Sequence, residues 1–301
     1  MPSKTLIVGC GYLGRRVARQ WVARGDTVHA LTRSADRAGE FSAAGLVPIV
    51  GDVTARATLT GLPEVDTVLY AVGLDRQSGK SQRDVYVDGL ANVLEQLSGK
   101  VRRWISISST SVYGQDGGEL VDESSPCAPQ SPNGQVCLEA EQLLKTRVPQ
   151  ANILRLAGIY GPGRLVARIE ALRAGTAPEG NPDAWLNLIH VTDAVAAVLA
   201  CEHRGEPGAT YLVADGHPCR RRDYYFLLTA LIGAPHPFPR SARSGRVSAR
   251  DSAGATKIDE PIGTGLNKRC QNRRLREDLE LTLRYPSFRV GLPDALVMRD
   301  E

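Results

Sequence analysis

Residues 9 to 14 read Gly-Cys-Gly-Tyr-Leu-Gly. They follow the apolar run Thr5–Val8 and precede a segment in which Val17, Trp21 and Val22 recur at helical spacing. Three glycines in this order between a strand and a helix predict a strand, a tight turn and a helix whose first N–H groups face a pyrophosphate. Gly9 serves the turn, Gly11 lets backbone approach phosphate, and Gly14 lets helix and strand pack closely; Tyr12 and Leu13 lie between them on the phosphate side.

In such a unit an acidic residue about 20 positions further on would hold an adenosine ribose hydroxyl. The corresponding place holds Arg33, in Thr32-Arg33-Ser34. A guanidinium beside hydroxyls suits a 2′-phosphate, with Arg15 and Arg37 as helpers, so NADP is expected over NAD. The other reading makes these arginines plain surface charges.

Outward from the glycines, Thr27–Leu31, Val47–Val50, Thr67–Ala71, Trp104–Ile107 and Asn152–Leu156 read as further strands, several separated by helix-length segments. Unbroken hydrophobic strands suit a parallel sheet covered on both faces. The fold class is therefore α/β, a Rossmann-type doubly wound parallel sheet with a small C-terminal substrate lobe. Residues 1–160 are expected to form the dinucleotide domain, with 186–215 returning to it, and residues 161–185 and 216–301 the lobe. Helices are expected over Leu165–Ala174, Ala194–His203 and Arg222–Ile232, a strand over Thr210–Val213, and a long loop over Pro235–Leu266.

Composition narrows the partners. A net charge of +4 over 301 residues gives no field that argues for nucleic acid. The excess gathers in one stretch, where Arg240, Arg243, Arg246, Arg250 and Lys257 stand against Asp251; it reads as a solvated loop or an anion-binding flap. Six cysteines show neither paired spacing nor a metal-ligand pattern, so free thiols and no metal are expected. With neither a signal-type segment nor a membrane-length apolar run, the expectation is a cytoplasmic protein whose partner is a small molecule.

Further segments carry a resemblance. Gly51-Asp52-Val53, Tyr70-Ala71-Val72-Gly73, Ser106-Ile107-Ser108-Ser109-Thr110-Ser111-Val112-Tyr113-Gly114, Arg155 to Gly163 and Asn187 to Asp193 occur in the order found in the extended short-chain dehydrogenase/reductase superfamily, of the nucleotide-sugar epimerase/dehydratase type. Asn267-Lys268-Arg269-Cys270 and Tyr285-Pro286 resemble an atypical subgroup of it. The resemblance places Asp52 and Val53 near adenine, and Ala71, Val72, Gly73 and Leu156 around the dinucleotide. Relatives of this kind often pair through helices of the type Gly134–Lys145 and Gln82–Leu97, so the resemblance leaves both a homodimer and a monomer open.

Ser109 matches the superfamily's Ser/Thr, which hydrogen-bonds the substrate oxygen. That superfamily's Tyr and Lys, four residues apart on one helix face, fall here on Asn133 and Cys137, and Tyr86 stands where many relatives carry Asn. An amide cannot exchange protons near neutral pH, and a thiol supplies no ammonium to lower a phenol's pKa. Substitute donors would be Tyr113, Tyr160 or His190; Cys137 is a weaker candidate nucleophile. Glu139 and Glu141 read as a solvated face, and Asp122 and Glu123 as braces of the loop before Pro126. Three readings follow: an NADP-dependent oxidoreductase or epimerase/dehydratase-like enzyme on a small polar or sugar-linked metabolite, by a non-standard mechanism; a lapsed enzyme that binds NADP in a regulatory or structural role; or non-redox chemistry in the same cleft.

Overall fold

The protein is described here from a computed structural model covering residues 2–97, 99, 101–238 and 266–297. Seven strands form the central sheet: β1 Lys4–Val8, β2 Thr27–Thr32, β3 Val47–Val50, β4 Val65–Tyr70, β5 Val101–Ser109, β6 Asn152–Leu156 and β7 Thr210–Val213. All pair in parallel, in the order β7-β6-β5-β4-β1-β2-β3. The order reverses between β1 and β4, and a crevice at the carboxyl ends of those two strands is where doubly wound sheets bind ligands.

Side-chain alternation explains why the strands read as unbroken apolar runs. In β1, Ile7 points into a core shared with Val17 and Trp21 of α1 (Tyr12–Ala23), while Leu6 and Val8 point into the opposite core with Leu90 and Val93 of α3 (Gly89–Gln96). Both faces are covered, so every second residue finds a hydrophobic partner instead of water. Helix α2 (Ala35–Ala43) begins where Ser34 accepts from the Arg37 N–H. Helix α4 (Pro132–Arg147) packs on the α3 side, and α6 (Val191–Arg204) packs against α1. Trp21 Nε1 donates to Glu202 of α6 across that contact at 2.9 Å.

A third core joins α5 (Val166–Arg173), α7 (Arg221–Ile232) and α9 (Phe288–Ala295) through Leu172, Tyr224, Leu228, Phe288 and Leu292. Short pairings tie this part to the sheet. Gly158–Tyr160 runs parallel to Leu188–His190, Trp185–Leu186 antiparallel to Cys219–Arg220, and Glu119–Val121 parallel to Lys268–Cys270. None was expected from the sequence, because two- or three-residue strands carry too little periodicity to register. The short helix α8 (Arg273–Glu277) follows the last pairing. The basic segment Arg240–Ile258 lies outside the described residues, as does most of the expected loop. Among the described residues no helix is long and apolar enough to cross a membrane.

Asp215, just past β7, is 3% exposed, and its Oδ1 accepts the His217 N–H at 2.9 Å. Burial pushes its carboxyl up to about 7, and the nearby Asp193 carboxylate adds to the rise. Between its ordinary value and about 7 the folded chain holds a proton that the unfolded chain has lost, so stability falls as pH rises through that window. We expect the melting temperature to decline from pH 5 to 7 and then level off, and Asp215→Asn to remove most of the decline; a wild-type melting temperature that rises across the window would refute the assignment.

Candidate active site

A cleft of about 500 Å³ opens at the carboxyl ends of β1, β2 and β4. Gly9, Gly11, Tyr12 and Leu13 form its floor; Arg33, Asp52 and Val53 line one end, and Ala71, Val72 and Gly73 one wall. Gly9 has φ +98°, and a Cβ there would lie 2.4 Å from the Ala71 carbonyl carbon, so two strand ends meet over a residue that must lack a side chain. A Cβ on Gly11 would meet nothing within 4 Å, which leaves its backbone open to a ligand. Gly14 abuts the Gly9 carbonyl, Ser34 caps α2 and Leu156 lies in the core; these three support the cleft without lining it. The glycine turn, the start of α1 and the open Gly11 together fit a dinucleotide pyrophosphate.

Arg33 Nη2 bonds Asp75 Oδ2 at 2.8 Å, and both side chains are about half exposed. That hydrogen bond lowers the pKa of the Asp75 carboxyl. Arg37 also lines the cleft, and its guanidinium donates to the Cys10 carbonyl at 3.2 Å. Arg15 pairs with Glu40 at 2.8 Å. Asp52 accepts from the Thr54 N–H and hydroxyl, so its carboxylate is committed to its own turn.

Ile107 of β5 and Lys80 line the cleft, and the chain beyond each leads to a polar cluster. Ser109 ends β5, and its Oγ accepts from the Ser111 N–H at 3.1 Å. Gly134 lets α4 press on this turn: a Cβ there would lie 2.3 Å from the Ser111 carbonyl oxygen. Asn133 thereby reaches Ser111, its Nδ2 donating to Oγ at 3.3 Å, while Gln82 Nε2 donates to Asn133 Oδ1 at 2.9 Å. Cys137 Sγ lies 4.0 Å from the same Oδ1. Tyr86, in a π-helical turn at Asp84–Asp88, accepts the Leu74 N–H on its hydroxyl at 3.2 Å and so steadies the wall after Gly73.

The candidate substitute donors are engaged elsewhere. Tyr113 is fully buried with its hydroxyl on Arg155 Nη1 at 2.9 Å, and Tyr160 is 1% exposed against α9 with its hydroxyl directed at the Ser287 carbonyl. Burial pushes both phenols above their ordinary range, which makes them poor acids near neutral pH. His190 is fully buried at the start of α6, where its Nδ1 accepts the Thr192 N–H, and its Nε2 lies 3.3 Å from Asp294.

One expectation is overturned. Glu141 is not on a solvated face: it is 4% exposed and pairs with Arg155 at 2.7 Å, while Ser108 Oγ donates to its Oε1 at 2.6 Å. The helical spacing of Glu139 and Glu141 says nothing about a cation arriving from a distant strand. Glu139 does stay at the surface, on Arg83. Asp122 accepts from Ser124 and Ser125 within its loop, and Glu123 accepts the Leu212 N–H of β7.

The model of the NAD dependent epimerase/dehydratase family matches residues 5–214. The chain belongs to this family. Protein YeeZ of Escherichia coli strain K12 is 31% identical over 253 residues, covering 81% of this chain and 89% of that one. A Stigmatella aurantiaca 4-hydroxy-2-methyl-3-oxo-4-farnesyl-3,4-dihydroquinoline-1-oxide ketoreductase is 29% identical over 287 residues, covering 89% and 83%. The solved structure of a putative NAD-dependent epimerase/dehydratase from Methylobacillus flagellatus superposes with a TM-score of 0.75 at 32% identity, covering 98% of each chain. Within the family frame, the Rossmann cleft is that of a nicotinamide dinucleotide.

Reading the sequence missed Gln82 and Ser111, which complete the polar cluster, and Arg155, which anchors it. The signal for Arg155 was present: a lone charge inside the apolar run of β6 requires a counterion. We expect Gly11→Ala to leave the melting temperature nearly unchanged but to weaken dinucleotide binding by roughly tenfold, about 1.4 kcal/mol, because the added methyl points into ligand space; unchanged affinity by calorimetry would show that the backbone does not approach phosphate there.

Proposed function

We propose that this protein is an NADP-dependent reductase of a carbonyl group on a small polar metabolite. The observation that carries this reading is the hydroxyl and amide cluster of Ser109, Ser111, Asn133 and Gln82, in which Ser109 and Gln82 lie two residues along the chain from Ile107 and Lys80 of the dinucleotide cleft's lining. Epimerases and dehydratases that begin by oxidising an alcohol must remove its proton, and amides and serine hydroxyls do not act as bases near neutral pH. Reduction asks less of the protein. The carbonyl oxygen gains electrons and needs hydrogen-bond donors pointed at it, which this cluster can supply. The ketoreductase similarity points the same way.

When bound, the dinucleotide would supply the hydride. Gly11 and the start of α1 would hold its pyrophosphate, and Arg33 with Arg37 a 2′-phosphate. Asp75 does not oppose this choice strongly. Its ion pair with Arg33 is exposed, and solvent-screened pairs contribute little, so a doubly charged phosphate can displace it. Arg33→Ala should weaken NADPH binding at least about tenfold and leave NADH affinity within about twofold; equal losses for the two cofactors in a fluorescence titration would remove the case for NADP.

A second reading, a lapsed enzyme that retains the cofactor, is favoured by Asn133 and Cys137 standing at the family's Tyr and Lys positions. It expects tight NADPH binding with no oxidation across a broad carbonyl panel, and it expects Asn133→Tyr with Cys137→Lys to start turnover. Wild-type turnover on any carbonyl of that panel would exclude it.

A further inference from the structure

The polar cluster has a direction. Asn133 carries one acceptor oxygen and one donor nitrogen, and both are engaged: Oδ1 receives Gln82 Nε2 at 2.9 Å, and Nδ2 gives to Ser111 Oγ at 3.3 Å. Donation therefore runs one way, from Gln82 through Asn133 to Ser111. Each donor in such a chain polarises the next, so the last hydroxyl becomes a better donor than an isolated serine. Among the described residues Ser111 Oγ accepts this bond and finds no acceptor for its own proton.

Ser109 is placed differently. Its Oγ takes the Ser111 N–H within the same turn and caps the 3-10 segment Thr110–Val112. That bond fixes the turn and leaves Ser109 outside the chain that Asn133 drives. The turn is held from both ends. Arg155 bonds the Tyr113 hydroxyl, Lys268 Nζ bonds the Tyr113 carbonyl at 2.8 Å, and Gly134 brings α4 against the Ser111 carbonyl. A hydroxyl on so constrained a turn keeps its aim without reorganising, which is what stabilising a developing charge requires.

We propose that Ser111 is the catalytic residue that donates to the substrate's carbonyl oxygen, with Asn133 and Gln82 as positioning residues; this rests on the reductase reading above. With the bound reduced dinucleotide supplying hydride, the carbonyl carbon would accept it, the carbonyl π pair would move onto oxygen, and that oxygen would take its proton from water. Ser111 keeps its own proton throughout and stabilises the oxyanion by its hydrogen bond. The step therefore needs no group that titrates near neutral pH, in contrast to a phenol activated by lysine.

The test uses the full chain with NADP⁺ and 4-dimethylaminobenzaldehyde, a chromophoric carbonyl whose absorbance moves red when its oxygen is hydrogen-bonded. The wild type should show the red shift, Ser111→Ala should lose it, Ser111→Thr should restore it, and Ser109→Ala should keep it. With NADPH, Ser111→Ala should reduce the same aldehyde roughly 10²–10³-fold more slowly, as for loss of one oxyanion donor, at unchanged NADPH affinity, which also shows that the variant folds. A shift that survives Ser111→Ala, or that Ser109→Ala alone abolishes, overturns the assignment and spares the reductase reading. NADPH oxidation without any wild-type shift does the same. Cofactor binding with neither shift nor oxidation of any carbonyl removes both.

Discussion

The ion pair between Arg155 and Glu141 is the constraint on which the turn after β5 and the start of α4 depend. It joins the end of β6 to the middle of α4, and both groups are almost wholly removed from water. Burial alone would pull the guanidinium's pKa down, but the hydrogen bonds and charge of Glu141 more than offset this and hold it above its ordinary value. Ser108 completes the carboxylate and Tyr113 the guanidinium. Buried pairs of this kind are worth little against an apolar replacement, yet losing one partner is severe because the other is stranded. The pair therefore works as a fixed pin. Strand β5, the turn after it and helix α4 are all referred to one point, and the Asn133 to Ser111 contact inherits that precision.

Much of the cofactor half was legible because its physics is local. Three glycines, a preceding apolar strand and a following helical pattern specify a turn without reference to anything distant, and the cleft lies where that turn puts it. The polar cluster and its supports are different. Glu141 and Arg155 meet across 14 residues, Gln82 and Asn133 across 51, and Tyr113 and Lys268 across 155. Spacing along one helix sees none of these. Helix α4 carries little amphipathic signal because one side meets the β5 turn through Gly134 while Glu141 is buried as an ion, so a charge was mistaken for a surface residue.

The two phenols show why chemical type alone is a poor guide to role. Tyr113 and Tyr160 sit on the carboxyl side of the sheet, as a proton donor would, yet each is buried and each hydroxyl already has a partner. A buried phenol with a raised pKa gives up its proton less readily than a free one. The cluster two residues beyond the cleft-lining Ile107 and Lys80 is instead made of amide and alcohol groups, which do not titrate near neutral pH. Gln82, Asn133 and Ser111 are joined by hydrogen bonds, and none of the three is an ionisable acid or base.

The bridge between Arg33 and Asp75 has a consequence for how the cleft responds to ionic strength. An anion arriving at Arg33 exchanges one exposed charge contact for another across the same cleft. Mobile ions screen exposed charges over about 8–10 Å at moderate salt, and they weaken the contact being broken along with the contact being made. Selection of an anion at that end of the cleft would thus be a difference between two screened terms, less dependent on salt than the same selection by an unpaired arginine.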